Sequence, residues 1–172
     1  MRLPALLCAM LALSPTAARA NDAAAHAVFD ALKRLAGDWK STRPDSNTVV
    51  HYAVIADGSA LVESWTMSPT RQSMTVYTLD GDRLIATHYC PQGNAPRLQF
   101  SRTDEAGNHH FLFFDGANLQ DTAGSHEHAF RLRIDESGTL TRSEVYIRNG
   151  ATYDPDTDVA DDASFVRSQA HP

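Results

Sequence analysis

Turn signals recur along the chain at short intervals: Asp57-Gly58, Asp80-Gly81, Ala106-Gly107-Asn108, Asp115-Gly116, Ser137-Gly138 and Asn149-Gly150. Each combines glycine with a residue that tolerates left-handed backbone or caps a turn, the chemistry of tight hairpin connections. Between these signals the hydrophobicity alternates with a period near two. Ten strands are therefore expected, at 37–43, 48–56, 60–67, 73–79, 83–90, 97–103, 109–114, 126–135, 139–148 and 163–168. Strands this short and this closely connected form an antiparallel meander. Closing it into an up-and-down barrel removes the exposed sheet edges. One short helix is expected before it, from Ala23 to Leu35, because Val28, Leu32 and Leu35 fall at helical spacing.

The N-terminal residues have a different character. Arg2 precedes a short apolar run, and Ala18-Arg19-Ala20 is a small-x-small cleavage signal. Residues 1–20 read as a secretory signal peptide, leaving 21–172 as a single barrel domain that is periplasmic or secreted. Cys8 is not a lipid anchor site, because Leu7 stands where a small residue is needed. The apolar run is too short to span a bilayer, and no later segment approaches roughly 20 apolar residues. Removing Arg2 and Arg19 takes the formal charge from −6 to −8, so a nucleic-acid partner is not expected. Cys90 is then the one remaining cysteine, and no internal disulfide can form.

The segment His126 to Ile134 orients itself by alternation. His126, His128, Phe130, Leu132 and Ile134 share one face, while Glu127, Ala129, Arg131 and Arg133 share the other. The apolar face is expected to point inward and carry both histidines into the lumen. Outward arginines at mid-strand disfavour a lipid-facing barrel, since each costs roughly 2–4 kcal/mol near a bilayer midplane.

A helix, then Leu35-Ala-Gly-Asp-Trp39 opening the first strand, then a meander resembles the calycin superfamily, whose lipocalins carry Gly-x-Trp at that point. The resemblance implies that Trp39 closes one end of the barrel and packs under a basic side chain of the last strand, by position Arg167. The run from Met74 to Arg97, with Thr87-His-Tyr-Cys90 followed by Gly93-Asn94 and Pro96-Arg97, resembles a group of small exported bacterial lipocalin-like proteins of uncharacterised function. That likeness covers most of residues 30 to 150 and includes a later His-x-His strand. Haem-binding nitrobindins, another calycin branch, open with Gly-x-Trp-x-Gly-x-Gly. Here Lys40-Ser41-Thr42 follows Trp39, so haem is not expected.

His88 and Cys90 share a strand face with Leu84 and Ala86, which points them inward. Imidazole and thiolate suit zinc or copper. A metal site formed by His88, Cys90, His126 and His128 needs the two pairs to meet across the lumen, since two strands and roughly 14 Å of wall separate them. Glu63 and Trp65 share a face with Leu61 and Met67, which makes Glu63 a candidate partner for a pocket histidine. Arg97 is expected on the wall exterior or at the rim. Asp154-Pro-Asp-Thr-Asp158 begins like a calcium loop, but Val159 stands at the glycine position and Phe165 at the closing glutamate, so it reads as an acidic connection. His109-His110 reads as exposed polar sequence beside a turn. No Gly-x-Ser-x-Gly, His-Glu-x-x-His, phosphate-loop or dinucleotide motif is present.

The leading expectation is a barrel that binds a small, partly apolar molecule, with His88, Cys90, His126, His128, Glu63, Trp65 and Phe130 around it and Phe100 and Leu132 adding apolar wall. A metal-dependent or acid–base enzyme using the same histidines is the second reading. The third is a filled barrel that acts through its outer face.

Overall fold

The computed structural model describes residues 16–158 and 160–168. Helix α1 (Thr16–Lys33) precedes ten strands: β1 (Gly37–Ser41), β2 (Val49–Ile55), β3 (Ala60–Ser68), β4 (Arg71–Asp80), β5 (Arg83–Tyr89), β6 (Ala95–Thr103), β7 (His109–Ala117), β8 (Ser125–Ile134), β9 (Leu140–Arg148) and β10 (Asp161–Arg167). Every strand pairs antiparallel with its sequence neighbours and β10 returns to β1, so the expected up-and-down barrel is closed. Residues 1–15 of the expected signal peptide lie outside the described residues, and the expected cleavage point after Ala20 falls within α1.

Most turn signals lie between strands, as at Gly81, whose φ of +59° suits glycine in the β4–β5 connection. Asp115-Gly116 does not. It lies inside β7, which runs on to Ala117 because Asp115 pairs with Arg97 and Ala117 with Ala95 across from β6. The Asp115 carboxylate is also ion-paired with the Arg97 guanidinium on the barrel exterior.

One end of the barrel is sealed. Trp39 is 1 % exposed, its indole N–H donates to the Leu35 carbonyl at 2.8 Å, and the Arg167 guanidinium lies 4.5 Å from its ring centroid. Arg167 also donates to the carbonyls of Ala36 and Arg34, tying β10 to the end of α1. Gly37 makes room for this arrangement: a Cβ there would lie 3.0 Å from Arg167 Nη1, and its φ of +123° disfavours any side chain. Val28, Phe29, Leu32 and Leu35 of this helical segment are buried against the same end.

The apolar lumen is filled by side chains such as Tyr52, Leu61, Leu84, Leu98, Phe111 and Leu132. Phe111 and Phe130 stack with centroids 4.5 Å apart. A second, smaller cluster of Ala129, Val145 and Ile147 lies on the outer face of β8 and β9, where Tyr153 and Ala160 of the β9–β10 connection cover it. The acidic Asp154–Asp158 stretch belongs to that covering connection. Asp158 N–H donates to the Asp154 carbonyl, and the Asp154 N–H to the Asp158 carboxylate.

Candidate functional site

Strand β9 sets the chemistry of the interior. Leu140, Arg142, Glu144 and Tyr146 alternate onto its inward face, and the covered apolar residues Val145 and Ile147 fall on the other. Arg142, 1 % exposed, is the centre of a buried network. Its Nη1 donates to the Tyr77 hydroxyl at 3.1 Å and to Glu63 at 3.5 Å, Nη2 to Glu127 at 2.8 Å, and Nε to Glu144 at 2.7 Å. Glu63 also accepts from the Tyr77 hydroxyl and the Trp65 indole. The guanidinium carbon stands 4.0 Å from the Phe130 ring centroid. A buried guanidinium is tolerated because each of its nitrogens finds an acceptor and its face finds an aromatic ring.

Three carboxyl groups surround this one cation, and they are not equivalent. Burial holds the Glu127 carboxyl well above the usual carboxylate range, outweighing the opposing pull of Arg142. Burial thereby favours the protonated form of Glu127. Its Oε1 accepts from Arg142, while Oε2 is buried with no hydrogen-bond partner and lies 3.6 Å from Nδ1 of His88. His88 is buried too, with Nδ1 3.0 Å from the Thr75 hydroxyl and Nε2 3.3 Å from the Tyr146 hydroxyl. Burial and then the Arg142 charge push its imidazole down to about 4, so it is neutral at physiological pH. Burial raises the Tyr146 phenol, which keeps its proton.

A cavity of about 280 Å³ lies at the barrel end opposite Trp39. It is lined by Trp65 and Met67 of β3, His88 and Cys90 at the end of β5, and Glu144 and Tyr146 of β9. Cys90 opens a tight turn, its carbonyl accepting from the Gly93 N–H at 2.9 Å and its N–H donating to the Asn94 carbonyl at 3.0 Å. Pro91 has no N–H to continue the ladder, which is why the strand ends here and the thiol sits at a mouth.

The histidines of β8 are elsewhere. Glu127 pairs with Tyr146 and Ala129 with Val145, so His128 is the extra residue of a bulge. The bulge reverses the alternation: Phe130 and Leu132 point inward after it, but before it the inward residue is Glu127 and His126 shares the outer side with Ile147. His126 bonds Asn149 at 2.8 Å and His128 at 3.1 Å, and His128 stacks on Tyr153 with centroids 4.9 Å apart. The expected convergence of His88, Cys90, His126 and His128 therefore does not occur. Among the described residues no group of three or more His, Cys, Asp or Glu side chains can hold a metal ion.

Two further expectations are corrected. Phe130 belongs to the packed core under Arg142 rather than to the cavity wall, as do Phe100 and Leu132. Glu63 partners Arg142, Tyr77 and Trp65, and the carboxyl near His88 is that of Glu127. Trp65, His88 and Cys90 do meet, at the cavity. His109 and His110 are half-buried, bonded to Thr103 and Asp104 respectively.

Fold and site together define a class: a closed ten-stranded antiparallel barrel, sealed at one end, with a polar-floored cavity at the other. The chain matches no protein-family model and no curated protein.

Proposed function

We propose that the chain is an exported member of the calycin superfamily that holds a small, partly apolar molecule in the mouth cavity. The superfamily assignment is supported by the Gly37-x-Trp39 opening, the Arg167 side chain over Trp39 and the closed meander. The observation that carries the binding reading is the cavity of about 280 Å³, in which Trp65, Met67 and Tyr146 supply apolar contact while His88, Cys90 and Glu144 supply polar groups. Pockets of this mixed lining are where small ligands bind. Trp65 touches the cavity and Trp39 is sealed at the far end, so Trp65 emission reports occupancy. Titration with an anilinonaphthalene sulfonate should shift that emission and slow alkylation of Cys90. Unchanged emission together with an unprotected thiol would overturn the reading. For export, intact mass of protein recovered outside the cytoplasm should begin at Asn21.

A second reading, acid–base catalysis, is favoured by the line from Glu127 through His88 to Tyr146. Neutral His88 would act there as base, with the Tyr146 hydroxyl at its Nε2 holding the ring toward the cavity. Turnover that falls with His88→Gln and follows a titration near the low His88 value is its signature.

A further inference from the structure

Two groups at the mouth cavity are less committed than the rest. Arg71, the first residue of β4, lines the cavity and is exposed. Among the described residues it forms no ion pair. Glu144 lines the same cavity, and only its Oε1 is engaged, by Arg142 Nε. Strands β4 and β9 stand five places apart in the ring of ten whichever way it is counted, so these residues line the cavity from opposite strands. A cation and a carboxylate with a free oxygen thus stand on opposed walls, and the apolar pair Trp65 and Met67 lies on β3, beside β4.

From this we infer that the cavity takes a small zwitterion, an α-amino acid with an apolar side chain, whose carboxylate meets Arg71 and whose ammonium meets Glu144. This deepens the cavity-binding reading and rests on it. A ligand of one sign engages one wall and leaves Arg71, or the free Glu144 oxygen, shielded from water with no new partner, which penalises it relative to the zwitterion. An apolar ligand engages neither Arg71 nor the free Glu144 oxygen. The apolar side chain lies on Trp65 and Met67, where neither charge competes for it.

The test is calorimetry on the full exported chain with four probes that share one ring: phenylalanine, phenethylamine, 3-phenylpropionate and toluene. Phenylalanine should bind at least tenfold more tightly than each of the other three. Arg71→Ala should abolish the preference for phenylalanine over phenethylamine while leaving phenethylamine affinity unchanged, and Glu144→Gln should do the same relative to 3-phenylpropionate. Arg71 is exposed, so its variant keeps the fold and remains decisive even where Glu144→Gln disturbs Arg142. Toluene or either singly charged probe binding as well as phenylalanine overturns the zwitterion and leaves cavity binding intact. The same holds where the anilinonaphthalene sulfonate binds and none of the four probes does. Failure of all five compounds overturns both.

Discussion

The Glu127 carboxyl and the His88 imidazole lie 3.6 Å apart inside the barrel, both buried, and burial disfavours the charged form of each. Their titrations pull stability in opposite directions. His88 titrates near 4 when folded against 6.5 when unfolded, so between those values the unfolded chain binds the proton and stability falls as pH drops. The loss over that window is roughly 3 kcal/mol, and His88→Gln should flatten it in urea melts taken from pH 7 to pH 4. A wild-type acid limb that survives the substitution unchanged refutes this assignment.

Glu127 has the opposite sign. Its folded value lies above the ordinary 4.5, so its contribution is complete below that value and is lost as pH rises through the folded one. Glu127→Gln keeps an acceptor for Arg142 and removes the ionisation. The variant should match or exceed wild-type stability at pH 8, read by urea midpoint; a loss above about 2 kcal/mol would show that the carboxylate form is needed.

Arg142 neutralises the interior, and removing it leaves carboxyl groups buried without their cation. Arg142→Met should cost about 3–5 kcal/mol at neutral pH, the range for breaking one side of a buried pair. Adding Glu127→Gln to that variant should recover a measurable part at pH 8, where ionisation of the carboxyl would otherwise place a charge beside Glu63 and Glu144 with no cation left to meet it. Simple additivity of the two changes in denaturant melts would contradict the shared network.

Trp39→Ala should cost roughly 3–5 kcal/mol in urea melts, as expected for a deleted core aromatic. A change under about 1 kcal/mol is incompatible with a ring 1 % exposed beneath Arg167.

His128→Ala should leave occupancy of the cavity, followed by Trp65 emission, at the wild-type level. The His128 ring stacks on Tyr153 on the outer wall, so the substitution should lower stability by about 1 kcal/mol and loosen the β9–β10 connection. Proteolysis near Tyr153 measures that loosening.

How far the sequence reveals this architecture depends on what marks each feature. The ten strands are legible because alternation and turn glycines are local. His88 is legible for the same reason, since Leu84 and Ala86 precede it on one face. The bulge at His128 is not. Nothing distinguishes the extra residue, and a single insertion exchanges the two faces of everything before it. Arg142 is hidden for another reason. Val145 and Ile147 occupy the face opposite to it, and a solvent-facing barrel exterior gives no cause to put them outside. They are outside because the β9–β10 connection folds back and covers them, a tertiary contact that no strand pattern records.

The sealed half of the barrel and the cavity half share strands but divide their tasks. Leu32, Leu35, Trp39 and Arg167 hold the closed end, while Trp65, Met67, Arg71 and Cys90 shape the open one. On the proposed binding reading, substitutions at the mouth should change which molecule fits without loosening the plug. The architecture is thereby a scaffold in which a few rim positions can vary, by drift or by design, while the remainder of the sequence keeps the barrel closed.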